Sequence, residues 1–302
     1  LPDLSEKSAR FRYLFNRLCA TVERIMDEVS EELKSSDFEP LAFELAFGAD
    51  GQLPAITIRE KNGTARVVGK VDRVDGWLHN GKLYLRVVDY KTGKKSFDLA
   101  ELRYGLGLQM LLYLFTLKEE GRALFGGQEI VPAGVLYTPA REPMLRCARD
   151  TAPEKIEKAR KKELRRSGMV LEDPAVLQAM EHSALTSPCY LPIAVKKDGA
   201  VTGSLASAEQ LGKLSKYVDR LLHEITQEVF AGNIDADPYA RTPQLSACTY
   251  CEFASACHFE NGCGSDRMEY IKATKNDEFW QHIDEVNGKE ARSDGYHSDR
   301  KS

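Results

Sequence analysis

The sequence predicts a mixed α/β domain, and three patterns lead to that class. A long amphipathic stretch opens the chain, with Phe11, Leu14, Phe15, Leu18, Val22, Ile25, Met26, Val29 and Leu33 three or four residues apart. Short alternating runs separated by turn dipeptides then fill residues 38–91. An almost wholly apolar stretch at 99–118 follows, and the strand-like IVPAGVLYTP comes after it at 130–139.

In chain order, the opening spacing predicts a helix over 5–35. FEPLAFELAFG (38–48), ITIRE (56–60), ARVVGKVDRVD (65–75) and LYLRVVDYK (83–91) read as strands, with Asn62-Gly63 and Asn80-Gly81 as hairpin turns. The expectation is an antiparallel meander of about four strands. The 99–118 stretch reads as one buried helix packed on that sheet, and 130–139 as a strand reached by a crossover, hence parallel to its neighbour. A charged helix follows from 151, then a short one in EDPAVLQAMEH. PIAVKKDGAVTG (192–203) reads as a hairpin, Ser207–Phe230 as a helix opened by a capping box, and everything beyond 285 as a frayed polar tail. The expected divisions are an N-terminal helix (1–37), a core (38–150), a helical and hairpin segment (151–247), and a cysteine-bearing region with its tail (248–302).

The chain has 302 residues and a net charge of −4, so no global basic field advertises nucleic acid, and any such binding must be local. No apolar run approaches the roughly 20 residues that cross a bilayer, and the first residues lack a signal peptide's apolar segment. They also lack an initiating Met and open directly on a helix, so the chain reads as a piece of something longer. Of 7 cysteines, four crowd into 248–263, which suits a local thiolate site in a cytoplasmic protein better than a secreted disulfide framework.

The chemistry concentrates in GKVDRVDGWLHNGKLYLRVVDYKTGKK, residues 69–95. Alternation puts Asp89 and Lys91 on one strand face with Leu83, Leu85 and Val87. The Asn80-Gly81 turn folds the strand bearing Asp72 back beside them, about 4.8 Å away. Two carboxylates so placed can share a divalent ion, and a lysine beside them can orient water and steady negative charge on phosphorus. Asp75, at an odd offset from Asp72, falls on the opposite face, and Glu44 reads as an edge-strand carboxylate before an accessory acid. Asp-x-Lys is common, and on the spacing alone a solvated hairpin end is the simpler explanation.

Gly69-Lys70-Val71-Asp72, Asp89-Tyr90-Lys91 and Gln109-x-x-x-Tyr113 together, in this order, resemble the RecB-type branch of the PD-(D/E)XK nucleases. Within it, they resemble the nuclease domains that close AddB-type helicase-nuclease subunits. The resemblance covers about 38–265 and implies a restriction-endonuclease-like core, a mixed sheet flanked by helices. It implies that Asp72, Asp89 and the Tyr90 carbonyl bind Mg²⁺ or Mn²⁺, that Lys91 serves the attacking water, and that Gln109 and Tyr113 hold the DNA backbone. It further implies cleavage of a single DNA strand during double-strand break repair and recombination, with a helicase-nuclease partner subunit of the AddA type.

Cys248, Cys251 and Cys257 have the spacing C-x2-C-x5-C, which leaves structural zinc and an iron–sulfur cluster both open. The resemblance implies a [4Fe–4S] cluster, with a fourth cysteine far upstream. That cysteine and the family's first-helix histidine would both fall before Leu1, so an incomplete cluster and site are expected, with Cys263 and His258 as unsupported substitutes. Cys19 reads as buried on the apolar helix face, and Cys147 and Cys189 as isolated structural thiols. The basic run from Lys155 to Arg166 suits either a phosphate backbone or i,i+4 pairing on a solvated helix. No zinc-hydrolase histidine pair and no P-loop occurs. A catalytically incomplete DNA-binding or scaffold module and a stand-alone RecB-like exonuclease are the alternative functions.

Overall fold

Helical spacing at the start of the chain becomes α1 (Ala9–Lys34), whose N-cap Ser8 accepts from the Phe11 amide. The computed structural model describes residues 7–298. Residues 5–6 of the expected first helix and 299–302 of the expected tail lie outside the described residues. After α1 come β1 (Glu39–Phe47), β2 (Ile56–Glu60), β3 (Gly63–Val67), β4 (Gly69–His79) and β5 (Lys82–Lys91). The middle of the chain holds α2 (Leu99–Arg103), α3 (Gln109–Glu120), β6 (Glu129–Pro139), α4 (Pro153–Glu163), β7 (Ser167–Leu171) and α5 (Pro174–Met180). Next are β8 (Ile193–Val195), β9 (Val201–Gly203), β10 (Leu205–Ala206) and α6 (Ala208–Ala231). The last elements are β11 (Tyr239–Thr242), β12 (Leu245–Ser246), α7 (Ala254–Cys257), β13 (Glu269–Tyr270) and α8 (Asn276–Ser298).

Two units result: 1–54, 68–97 and 113–211 form the first, and 55–67, 98–112 and 212–302 the second. The first is built on a mixed sheet in the order β1-β4-β5-β6-β7-β10. Here β1, β4 and β5 run antiparallel, β6 is parallel to β5, β7 is antiparallel to β6, and β10 is parallel to β7. The parallel β5–β6 pair follows from the helical crossover between them, since parallel neighbours need a long connection. Val74, Leu85, Val87, Leu114, Leu117 and Val135 are buried in its core. The second unit contains the β2–β3 hairpin, the small sheet β12-β11-β13, and helices among which Phe279 and Ile283 are buried. Tyr217 Oη donates to the Arg103 carbonyl there, at 2.9 Å.

Several sequence expectations need correction. The meander keeps β1, β4 and β5, but β2 and β3 form a separate ribbon, and the chain breaks at Val68 between β3 and β4. The 99–118 stretch is two helices, because Gly105 and Gly107 take φ values of +74° and +69° that end α2 before α3 starts. SGMVL, which follows the charged helix, is the strand β7. The polar segment beyond 285 continues α8 to Ser298. The capping box of α6 is formed, with Ser207 Oγ accepting from the Gln210 amide and Gln210 Oε1 from the Ser207 amide.

Candidate active site

The Asn80-Gly81 turn, with φ +50° and +76°, is the tight primed geometry that returns β5 beside β4 without splaying the strands. Pairing runs from His79↔Lys82 to Arg73↔Val88, and one further step along that register brings Asp72 beside Asp89. The Tyr90 amide donates to Asp72 Oδ2 at 2.9 Å, fixing the first carboxylate against the second strand. Asp89 is 6% exposed, and Lys91 Nζ lies 2.6 Å from its Oδ2. The structure thus gathers Asp72, Asp89, Tyr90 and Lys91 where β4 begins and β5 ends. Asp89 also pairs with Tyr137 of β6, so it sits on a strand bonded on both sides.

Burial pushes the Asp89 carboxyl above its ordinary range. The Lys91 hydrogen bond and charge oppose that rise, and the Asp72 carboxylate adds to it. Among the described residues, Asp89 Oδ2 has no hydrogen-bond partner apart from the Lys91 ion pair. A carboxylate held in this way is a group a cation would stabilise. Oxygen donors from Asp72, Asp89 and the Tyr90 carbonyl are the hard set that Mg²⁺ or Mn²⁺ takes, so these residues fit the metal.

The opposite face of the same strands carries a buried ionic network. Asp75, fully buried, contacts Arg73 Nε at 2.8 Å through Oδ1 and accepts from Arg86 Nε at 2.9 Å through Oδ2. Arg86 lies 3.8 Å from Glu32 of α1, and Glu32 in turn accepts from Arg166 at 2.6 Å. Arg73 donates to the Tyr90 hydroxyl, so the network reaches the residue whose amide holds Asp72. Sequence reasoning placed Asp75 on this face but missed Glu32, Arg73, Arg86 and Arg166. The available signal was Arg86 inside the apolar run LYLRVV, where a cation must find a partner if both faces are covered.

Tyr113 is buried on α3, edge-on to Phe47 with ring centroids 4.9 Å apart. A Cβ at Gly69 would come within 2.9 Å of the Tyr113 hydroxyl and ring and 3.2 Å of Phe47. The glycine that starts the Asp72 strand is therefore set by Tyr113, which links two of the three motifs. Gln109, one turn earlier on α3, is exposed and belongs to the second unit. Glu44 is exposed on the edge strand β1, ion-paired with Lys70, and takes a left-handed φ of +50° that is unusual for a non-glycine residue.

The cysteines are arranged differently. Cys248 and Cys251 bracket a turn closed by the Cys251 amide on the Cys248 carbonyl at 3.3 Å, and Cys257 ends α7. Among the described residues, no three His, Cys, Asp or Glu side chains are placed to hold a metal. Neither a cluster nor a zinc ion is assigned a step. Cys19 is exposed, which corrects its reading as buried; Cys147 is exposed, and Cys189 is half-buried, with its thiol pushed up by burial. No helix among the described residues is long and apolar enough to cross a membrane.

A mixed sheet with two carboxylates and a lysine at adjoining strand ends defines a class of phosphodiesterase, and the family model of the PD-(D/E)XK nuclease superfamily matches residues 1–258. The chain belongs to that superfamily. It is similar to proteins named as a subunit of an ATP-dependent helicase/deoxyribonuclease. With the one from Ruminiclostridium cellulolyticum it is 33% identical over 286 residues, 94% of this chain and 25% of the relative. With the one from Acetivibrio thermocellus it is 36% identical over 276 residues, 90% and 24% of the two. With the one from Thermoanaerobacter sp. it is 32% identical over 293 residues, 96% and 25%. The chain spans about a quarter of the length of the curated relatives it matches.

Proposed function

We propose that this chain is a divalent-cation-dependent deoxyribonuclease domain that hydrolyses phosphodiester bonds in a single DNA strand. Its setting is a cytoplasmic helicase-nuclease that processes double-strand breaks for recombination, with an AddA-type partner delivering the strand. The observation carrying the reading is the meeting of Asp72, Asp89 and Lys91 at adjoining strand ends, with Lys91 Nζ 2.6 Å from Asp89. Family membership and the names of the relatives agree with it.

In this reading Asp72, Asp89 and the Tyr90 carbonyl hold Mg²⁺ or Mn²⁺. When bound, the cation supplies Lewis acidity toward a phosphoryl oxygen and makes water a better nucleophile. Asp89 keeps Lys91 in place. The Lys91 ammonium orients the attacking water and donates to the phosphoryl oxygens as negative charge grows on them. Tyr113 sets the approach of the Asp72 strand through Gly69. Water adds to phosphorus and one P–O bond breaks, leaving a phosphomonoester and a hydroxyl group.

The test is cleavage of end-labelled single-stranded DNA in Mg²⁺ by the chain and by Asp89→Ala. Losing a metal-binding carboxylate is expected to cost at least about 100-fold in rate. Equal rates in the two proteins, or cleavage by neither, would overturn the reading.

A further inference from the structure

Beyond the metal-binding carboxylates, the first unit carries a run of basic cavities. A cavity of about 370 Å³ begins at Lys91 and is lined by Lys94, Lys95, Arg141, Lys162 and Arg165, with Glu163 as its carboxylate. An open groove of about 1020 Å³ follows along α4, lined by Lys155, Lys158, Lys161, Lys162 and Arg165. Lys162 and Arg165 line both, so the two spaces adjoin. Glu154 and Glu157 also line the groove, leaving cations in excess on this wall of a chain whose net charge is −4.

The solvated-helix explanation of these lysines depends on i,i+4 pairing, and that pairing is not made. Among the described residues, Glu154 and Glu157 form no ion pair with Lys158 and Lys161. Glu157 lies near Arg160 instead, at 3.6 Å, and Arg160 is held by Glu28 of α1 at 2.7 Å. The side of α4 toward α1 is thus neutralised, while Lys155, Lys158 and Lys162 remain exposed on the groove. They stand at i, i+3 and i+7, one face of the helix over about 10 Å. Arg165 is fixed where the two spaces meet, donating to the Pro188 carbonyl at 2.7 Å and the Ile193 carbonyl at 3.2 Å.

We propose that this groove is a track for the phosphate backbone of single-stranded DNA, leading along α4 to Lys91. The proposal rests on the nuclease reading in taking Lys91 as the reacting end. Glu163 is the counter-charge of the track. It lies 3.3 Å from Lys94 and 3.8 Å from Arg141, and a phosphate must displace it to take those cations.

Anisotropy of a labelled single strand of about 20 nucleotides, titrated with the full chain in EDTA over a range of salt, tests the track without turnover. Lys155→Gln/Lys158→Gln/Lys162→Gln should weaken binding and flatten the log Kd against log salt slope by about 2, since each lost phosphate contact removes about 0.7. Lys61→Gln/Lys196→Gln/Lys197→Gln, with the same charge change at exposed sites elsewhere, should leave the slope near that of the unmodified chain. Glu163→Gln should bind more tightly. Equal slopes in the two triple variants, or no tightening by Glu163→Gln, would overturn the proposal. Failure of the nuclease reading is read separately: a triple variant that loses slope in a chain that never cleaves DNA upholds the track and counts against Lys91 chemistry.

Discussion

Tyr90 works on both faces of β5 at once. Its amide holds Asp72 on the face of the candidate site, and its hydroxyl takes a hydrogen bond from Arg73 on the buried face. Tyr90→Phe removes the second contact alone. It is expected to lower stability by about 1–3 kcal/mol, the cost of leaving a buried donor unmatched. It should also raise the Mg²⁺ concentration for half-maximal cleavage by about 10-fold or more; an unchanged Mg²⁺ dependence would detach the network from the site. Asp89 gives a pH-dependent expectation. Its folded carboxyl titrates above its ordinary value, so between the two values the folded state keeps a proton that the unfolded state has lost. Stability therefore falls as pH rises through that window, and the loss persists above it. Asp89→Asn should make the metal-free chain more stable at pH 7 by thermal unfolding. Mg²⁺ at 100 times its Kd should stabilise the parent by about 2.7 kcal/mol and the variant by much less. Asp72, Asp89 and Lys91 were legible in the sequence because strand alternation is local. The buried network around Arg73 and Arg86 was not, because Glu32, which pairs with Arg86 and with Arg166, lies far along the chain from both.

Among the elements, β4 starts where it does because Gly69 admits Tyr113. Gly69→Ala would set a methyl 2.9 Å from the Tyr113 ring and hydroxyl. An expected loss of about 1–3 kcal/mol follows from overpacking, measured by denaturant unfolding, with Tyr113→Phe in the same background recovering part of it. No change on Gly69→Ala would mean that α3 is free to move away. Hydrophobic spacing revealed α1, β5, β6 and α6 because each carries a full period of its pattern, but it ran β3 and β4 together as one strand over 65–75. It misread 99–118, where Gly105 and Gly107 interrupt an otherwise continuous apolar stretch. It also missed β7, a five-residue strand following a charged helix. Gly168 within β7 has its reason in the fold: a Cβ there would overlap the Val135 carbonyl of β6.

At the scale of the molecule, Glu32 fastens α1 to the sheet through Arg166 and Arg86. Burial raises its carboxyl, and the guanidiniums of Arg166, Arg86 and Arg73 more than reverse this, so the group sits below its ordinary range. Glu32→Gln would strand buried cations and is expected to cost about 3–5 kcal/mol. By thermal unfolding that is on the order of 10 °C, and a shift under about 2 °C would show that the network is replaceable. A helical wheel of the sequence places Glu32 among polar positions and says nothing of the cations on β5 and before β7, so this tie is not legible in the sequence. The site itself lies at the end of β5, a strand paired with β6 from Lys82 to Lys91 and with β4 from Lys82 to Val88. Such a strand has no edge from which to peel, so its amide protons should be among the last to exchange with deuterium, through opening of the whole sheet. Heat would then extinguish activity and secondary structure together, with no warm, folded and inactive intermediate in between.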